Sequence, residues 1–542
     1  MMVLAEVGTY ILKGGRTEAR PFTVREERTM CCNRFDRRQF LGVTAGAIAG
    51  AGLISPLIAR ADEKPAWLLE GWDPRRPLVI TGKALRVQPI LMYSTSQKRE
   101  ATSWKSWGGI QTEQAASEEV VRISNELKSL CAAADFAVEM LPVVKVKSVE
   151  DAARARQAEC DVFVVYPATG GGRVLRACIS GDGDTVIFVR HRSGPVYYWY
   201  EALSVQYLST DHDEPGQESS AGSRAVSVHD VVVDEYQDLL WRLRALYGVK
   251  NFIGARIVAL GGPMGKYAPS APEDARKRHG IEIIEVSYDD VEPRIKAALA
   301  NASVVSQAEK WTEQYLALPN TTLMTEKEFV VNCFLLYGVF KELMREHGAP
   351  AFTIKNCMST IMPMSKTTAC LTLSLLNDEG LLAFCESDFV IIPAGILLHY
   401  ISGKPVFLHN STFPHKGIVT CAHCTAPRRM DGRRYEPAKI MTHYESEYGA
   451  APKVELPVGQ EVTFIDPEYS VGRWVGFKGT VESNPFYEIC RSQQDVRIQG
   501  DWKELLNEVR DSHWMMVYGD YLKEIGYAAP RIGIRWEAIS GA

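Results

Sequence analysis

Apolar and polar positions alternate along the chain from about residue 85 in a rhythm of short strands and amphipathic helices. Val87–Tyr93 is a short apolar run that is typical of a buried strand. Thr112–Ala134 has apolar residues at helical spacing and an acidic first turn, which predicts a helix. Such alternation favours a parallel sheet with helices on its faces.

A second unit with the same rhythm follows, and the pattern changes after Asn410. Val231–Gly248 has apolar residues at helical spacing and predicts an amphipathic helix. Glu326–Gly348 predicts a long, mostly buried helix. Beyond Asn410 the apolar runs are short and β-like, and Gly and Pro residues separate them. This change predicts a β-rich terminal domain.

These patterns predict the α/β fold class, with two Rossmann-like α/β domains followed by a smaller, β-rich, barrel-like C-terminal domain. The chain has 542 residues, which is too long for one core and agrees with two or three domains. The predicted segments are a leader at 1–61, an N-terminal α/β domain at 62–225, a central α/β domain at 226–410 and the β-rich domain at 411–542.

The leader has the features of an export signal. Arg37 and Arg38 precede a Gly/Ala-rich apolar run, and Ala59-Arg60-Ala61 closes that run as an A-x-A-like cleavage site. The pattern resembles a twin-arginine signal, which implies a protein that is exported folded to the periplasm. No stable membrane span is expected after cleavage. A cytoplasmic protein with an N-terminal arm is the alternative.

Composition narrows the class of function. A formal net charge of −5 and a pI near 6.2 provide no electrostatic basis for binding nucleic acid. The 12 cysteines are scattered and mostly lie in apolar segments. We therefore expect buried free thiols rather than a disulfide framework.

Two glycine clusters follow predicted strands, at Gly170–Gly172 and at Gly261–Lys266. Neither has the spacing of a Walker A loop, and neither is a G-x-G-x-x-G that opens a helix. Both clusters are better explained as tight turns that leave a strand and line a cleft.

The motif Cys421-Ala422-His423-Cys424 has two chemical interpretations that the sequence does not favour. A zinc site needs a second ligand pair at defined spacing, and none follows. A redox dithiol needs to open a helix, and the next residues do not continue one. His423 is left open between a structural histidine and a site residue.

Glu386 interrupts an apolar stretch, since it lies between the run 381–385 and a second run from Phe389. In open α/β sheets ligands bind beyond the carboxyl ends of strands, which is where Glu386 falls. Asn410 lies at the end of a second predicted strand, and His513 lies just before a later apolar run. A carboxylate, an amide oxygen and an imidazole at three strand ends predict a divalent-cation site formed by Glu386, Asn410 and His513.

The stretch 383–413, the histidine of the Cys421–Cys424 motif and the late run 513–521 resemble the L-fucose/L-arabinose isomerase superfamily. The resemblance implies a manganese ion, with Glu386 and His513 matching two of the metal ligands. Asn410 stands where the family has a second acid, and His423 falls near a further active-site histidine. A homo-oligomer, trimeric or hexameric, is also implied.

The activity implied is the interconversion of an aldose and a ketose through an enediol, with a monosaccharide as the substrate. A divalent ion stabilises the charge that develops, and a carboxylate moves the proton. Glu386 is the expected base and Asp388 a second candidate, while His423 and Asn410 are expected to bind substrate. Because Asn410 replaces an acid, an exported carbohydrate-binding protein without turnover is the alternative.

Overall fold

The computed structural model describes residues 71–179, 183–194, 226–468, 472–508 and 511–540. The predicted leader with its arginine pair, and the polar segment 209–222, lie outside these ranges. The described residues belong to one compact unit. Within them, no helix has the length and apolar character needed to cross a membrane.

The strands of the described residues are β1 Leu85–Met92, β2 Val138–Met140, β3 Val144–Val146, β4 Val162–Pro167, β5 Asp184–Val189, β6 Val231–Val233, β7 Arg256–Leu260, β8 Glu282–Val286, β9 Thr321–Leu323, β10 Ala351–Ile354, β11 Leu382–Cys385, β12 Phe407–Ser411, β13 Ile418–His423, β14 Ala438–Met441, β15 Ala451–Val454, β16 Glu461–Pro467, β17 Arg473–Ser483, β18 Ser492–Gln499, β19 His513–Tyr518 and β20 Arg535–Ala538.

The α-helices are α1 Glu113–Ala133, α2 Val149–Ala155, α3 Gly172–Ile179, α4 Tyr236–Phe252, α5 Ala271–His279, α6 Tyr288–Ala300, α7 Ala302–Leu316, α8 Lys327–His347, α9 Ile361–Ser365, α10 Cys370–Asp378, α11 Ile392–Ser402, α12 Trp502–Glu508 and α13 Leu522–Ala528. Short 3-10 turns lie at Val228–Asp230 and Ala529–Ile532.

The first sheet has the strand order β2-β1-β4-β5-β6, and β3 also pairs with β1. All of its pairings are parallel. Helix α1 starts where the sequence predicts, because the Thr112 hydroxyl caps it by accepting from Ala115 N at 3.1 Å. All six residues of β4 are buried, as expected of a strand covered on both faces.

One predicted helix begins later than expected. Helix α4 starts at Tyr236, whereas the prediction placed its start at Val231. The three valines Val231–Val233 form β6 at the edge of the first sheet. Their β-branched side chains favour a strand, and this preference outweighs the helical spacing of the residues that follow.

The second sheet has the order β11-β10-β7-β8 and is also entirely parallel. Helix α8 confirms the predicted long, buried helix, since 13 of its 21 residues are buried. It ends at Gly348, whose φ of +58° provides the left-handed cap. A mixed sheet of β15, β14 and β9 lies apart from these two sheets.

The C-terminal region forms a closed antiparallel barrel of six strands, ordered β16-β19-β12-β13-β18-β17, with β17 pairing back to β16. Strand β20 extends it by a parallel pairing with β17. Aromatic side chains fill the interior, where the rings of Phe464 and Phe477 stack at 4.5 Å and Trp514 meets Phe477 edge-on at 5.4 Å. The predicted barrel-like character is confirmed. The domain boundaries stay predictions, with β12 lying across the one at 410–411.

A buried histidine makes the stability of this fold depend on pH. His279 ends α5, is 4% exposed and packs edge-on against Phe252 at 4.9 Å. Burial lowers its pKa to about 4. The unfolded chain protonates this ring near pH 6.5, whereas the folded protein keeps it neutral, so stability falls as the pH drops from about 6.5 to about 4.

We expect His279→Leu to reduce the loss of unfolding free energy at low pH by about 3 kcal/mol, because leucine has no group to protonate. The measurement is the free energy of unfolding by urea at pH 7 and at pH 4.5, compared between variant and parent. His191→Leu is the control, because His191 is exposed and should leave the pH dependence as it is. An unchanged pH dependence in His279→Leu would show that this ring is protonated in the folded protein.

Candidate metal centre

The candidate site begins where strand β11 ends. All four residues of β11 are buried, and Glu386 is the first residue beyond them. Strand β10 lies between β11 and β7, and the three strands are parallel. Their carboxyl ends therefore meet at one edge, where Lys266 from the loop after β7 reaches Glu386.

The backbone at Glu386 and Ser387 is held in the left-handed region, with φ angles of +65° and +53°. For residues other than glycine this conformation costs about 1–2 kcal/mol each. The loop after β7 holds the turn, because Met264 N donates to Ser387 O at 3.0 Å and Phe389 N donates to Met264 O at 2.8 Å. These bonds fix the direction in which the Glu386 side chain leaves the sheet.

Asp388 connects this turn to the barrel. Its side chain is fully buried, and Oδ1 accepts from the backbone N–H groups of Lys266 at 2.9 Å and Val390 at 3.2 Å. Its Oδ2 accepts from Nδ1 of His513 at 2.8 Å. A carboxylate on one ring nitrogen fixes the tautomer and the orientation of a histidine, which leaves Nε2 of His513 for the site.

Three neighbouring barrel strands supply the other polar groups. His513 is the first residue of β19, Asn410 lies in β12 and His423 is the last residue of β13. Asn410 is the register partner of His513 on one side and of Ala422 on the other. Residues directly opposite each other in an antiparallel pair share a face, so Asn410 and His513 project together.

Glu386, His423 and His513 form one compact group of ligand atoms. Glu386 Oε2 lies 3.5 Å from His513 Nε2, and Glu386 Oε1 lies 3.8 Å from His423 Nε2. The three ligand atoms lie within 4.8 Å of one another. His423 Nδ1 lies 3.0 Å from the hydroxyl of Thr425, so both histidines present Nε2. The group could hold a metal ion, since one carboxylate and two imidazoles are ligands typical of first-row divalent cations.

Asn410 adds an amide beside this group. Its Nδ2 donates to Ser512 O at 3.4 Å, which leaves Oδ1 as the amide atom suited to a cation. The ligand set predicted from sequence was Glu386, Asn410 and His513. The structure brings these three together. It also places His423, which was predicted to bind substrate, within reach of the Glu386 carboxylate as a further possible ligand.

Lys266 introduces a positive charge at the same point. Its Nζ lies 3.5 Å from Glu386 Oε2 and 3.4 Å from His513 Nε2. The ammonium group therefore adds positive charge beside the carboxylate in the metal-free protein. A bound divalent cation would contact the same two atoms, so Lys266 opposes its binding.

The charges of the group are strongly coupled. Burial raises the pKa of Glu386, but hydrogen bonds and charges from His423 and His513 outweigh it and hold that pKa well below its usual range. Burial lowers the pKa of His513, and its bonds to Asp388 and Glu386 outweigh this and raise the pKa to about 9. The metal-free site is thus a carboxylate paired with an imidazolium, and a metal ion must displace that proton.

The group faces a cavity of about 510 Å³, within the range of small-molecule sites. Its polar wall includes Lys266, Asn356, Glu386, Asn410, His423, His443 and Glu445. The expectation that the Gly261–Lys266 turn lines a cleft is confirmed, since Met264 and Lys266 lie in this wall. Asp388 lies behind His513 rather than in the wall.

Sequence reasoning did not identify Lys266 as a site residue. The available signal was its position, six residues after the end of β7, in a loop already expected to line a cleft. It also left His423 between two interpretations, and the structure places this residue with Glu386 and His513. The number of residues between His423, His513 and Glu386 along the chain does not indicate how far apart they lie in space, because closure of the barrel brings them together.

Ser387→Gly should raise the free energy of unfolding by about 1 kcal/mol, because glycine adopts a positive φ without steric cost. The Ser387 hydroxyl is also buried, with no hydrogen-bond partner among the described residues. Ser387→Ala is the matched control, since it removes the hydroxyl and keeps the left-handed strain. Urea denaturation measures both variants. If glycine stabilises no more than alanine, the turn stores no strain.

Two substitutions should change metal affinity in opposite directions. Glu386→Gln should abolish binding of Mn²⁺, and Lys266→Met should strengthen it about tenfold by removing an opposing charge. Isothermal titration with Mn²⁺ measures both. Lys266→Arg keeps the charge and Glu445→Gln removes a carboxylate elsewhere in the cavity wall, so neither should have these effects. Unchanged Mn²⁺ affinity in Glu386→Gln would remove this residue from the ligands.

No protein-family model matches this chain, and no curated protein matches it.

Proposed function

We propose that the protein is a divalent-metal-dependent aldose–ketose isomerase acting on a monosaccharide, with Mn²⁺ as the metal. The observation that carries the proposal is that Glu386, His423 and His513 form one group of ligand atoms, of which Glu386 and His423 line a small-molecule cavity. The resemblance to L-fucose/L-arabinose isomerases supports the same assignment. The Rossmann-like character of the two parallel sheets stays a prediction.

Glu386, His423 and His513, with Asn410 beside them, would hold the metal. The ion would supply Lewis-acid stabilisation of the negative charge that develops on the sugar oxygens. Moving a carbonyl between C1 and C2 requires a proton to leave one carbon and return to the other. Glu386 is the carboxylate of the metal group that lies in the cavity wall, where it is placed to carry this proton.

Asp388 contributes to the proposed site by positioning His513. Because its carboxylate is fully buried and bonded to the imidazole and to two backbone N–H groups, it positions His513 and lies away from the cavity. Its predicted role as a base would require it to leave these bonds. We therefore assign proton transfer to Glu386 and ring orientation to Asp388.

Lys266 has a role in the substrate complex. A cation 3.5 Å from Glu386 favours the ionised carboxylate, which is the form that accepts a proton. Once a metal occupies the group, the flexible lysine side chain can turn toward the cavity, where it would donate to substrate oxygens. This would add a positive charge close to the enediol.

Asn410 favours a second candidate, a carbohydrate-binding protein that does not turn over its ligand. An amide supplies a ligand oxygen but neither a negative charge nor a proton acceptor. The group then has one carboxylate for a divalent cation, and proton transfer depends on Glu386 alone. The predictions of a homo-oligomer and of twin-arginine export apply equally to both candidates.

The test is a panel of aldoses and ketoses incubated with the Mn²⁺-loaded protein in D₂O. An isomerase that uses a carboxylate to move the proton incorporates solvent deuterium at the carbon that is reprotonated. We expect conversion of at least one sugar with such incorporation, and none with Glu386→Gln. Saturable sugar binding without conversion would establish the second candidate, and neither binding nor conversion would refute both.

Asn410→Asp is expected to restore a charge beside the cation. With Mn²⁺ present the variant should bind the ion about tenfold more tightly, convert sugar at least as fast and melt no lower than the parent. With the metal chelated it should melt lower, because no bound ion then offsets the charge of the added carboxylate.

Differential scanning calorimetry with and without chelator measures the melting temperatures. Asn356→Asp is the matched control, because it adds a carboxylate to the same cavity wall at a residue outside the group Glu386, His423 and His513. Equal destabilisation of Asn410→Asp with and without Mn²⁺ would show that Asn410 is a structural amide and not a metal ligand.

A further inference from the structure

Thiols form a second feature of the cavity wall that the proposed function does not use. The wall contains Cys357, Cys370, Cys385, Cys424 and Cys490. All five are free, and they make up half of the ten free cysteines among the described residues. They are dispersed over more than 130 positions of the sequence, so the tertiary structure has gathered them.

Three of these thiols form a cluster, here called the thiol cluster: Cys370, Cys424 and Cys490. Cys370 opens α10, Cys424 follows the end of β13 and Cys490 precedes β18. Cys370 and Cys424 pack with Ala451 in a small buried core, and Cys490 packs against it. The thiol of Cys424 interacts with those of both neighbours, which makes it the centre of the cluster.

One backbone donor is directed at the centre of the cluster. The backbone N–H of Arg491 donates to Cys424 Sγ at 3.4 Å. Cys370 and Cys424 are 4% and 2% exposed, so their access is through the cavity rather than from the outer surface. A cation that binds these thiols replaces their protons.

We propose that the thiol cluster is a binding site for a soft, thiophilic monovalent cation, Cu(I), held by Cys424 together with Cys370 or Cys490. Sulfur ligands select soft cations, whereas carboxylate and imidazole ligands suit harder divalent ions. The cavity thus offers two sites of different chemistry, one at Glu386, His423 and His513 and the other at the thiol cluster. This inference does not depend on isomerase activity.

The geometry favours Cu(I) over Zn²⁺. Structural zinc sites take four ligands in a tetrahedron, which requires all ligand atoms to lie close together. In the part of the chain that the structure describes, only the Glu386 group brings three such atoms within 4.8 Å of one another. Cu(I) is satisfied by two thiolates. Binding then exchanges two protons for one cation: two thiols and Cu(I) give a bis-thiolate anion and two released protons.

The test is competition for Cu(I) with the chromogenic chelator bicinchoninate, under anaerobic reducing conditions. Cys424→Ser should lose one Cu(I) per chain, with affinity falling about 100-fold or more, because a direct ligand is lost. Cys370→Ser and Cys490→Ser should each weaken binding less, since either leaves a pair of thiols that includes Cys424. This order of effects follows from the central position of Cys424.

Two controls separate this site from its surroundings. Cys421→Ser removes an equally buried thiol three residues earlier, outside the cavity wall, and should leave Cu(I) binding unchanged. Glu386→Gln should also keep the Cu(I) site, so failure of the proposed function and failure of this inference are distinguishable. Cys490 is only partly buried, so Cys490→Ser tests the cluster even if Cys424→Ser does not fold.

Three results would overturn the inference. Unchanged Cu(I) stoichiometry and affinity in both Cys424→Ser and Cys490→Ser would show that the cluster binds no cation. Zn²⁺ uptake that Cys424→Ser abolishes would show that the choice of cation is wrong. Protein purified without reductant that holds a disulfide at Cys424, and takes up no Cu(I) after reduction, would show that the cluster is a redox pair.

Discussion

The site depends on the buried carboxylate of Asp388. Its hydrogen bonds tie together three parts of the fold that are distant in sequence: the loop after β7, the turn after β11 and the first residue of barrel strand β19. A buried carboxylate is costly unless several donors satisfy it, and here two backbone N–H groups and an imidazole do so. The interaction therefore holds only when the parallel sheet and the barrel are packed together. The metal group therefore assembles only as the parallel sheet packs against the barrel.

That packing also explains why an unfavourable backbone is tolerated. Glu386 and Ser387 both have positive φ, and Met264 holds them by two backbone hydrogen bonds. Strain of this kind persists where the surrounding structure determines the conformation, and it is common where a side chain must point in one direction. Here the direction is toward His423 and His513. The local cost is offset by the contacts that Glu386 makes with them.

The cavity combines two classes of ligand because two kinds of structure form its wall. The strand ends of the parallel sheet supply Glu386 and Lys266, as open sheets supply polar groups at their carboxyl edge. The barrel and its connections supply His423, Cys424 and Cys490. Nitrogen and oxygen ligands lie at the junction, and sulfur ligands lie where β13, β18 and α10 meet. A hard and a soft cation could thus be bound in one cavity.

The sequence by itself determined several elements: the strand β1, the helices α1 and α8, parallel sheets followed by a barrel, and a polar group after β11. These follow from local periodicity, capping and strand ends, which depend on neighbours in the chain. It misplaced the start of α4, because spacing alone could not show that the three valines would pair with β5. Only the tertiary structure decided that Lys266 and His423 join the site. Barrel closure and the antiparallel register set those distances through space, and sequence separation does not encode them.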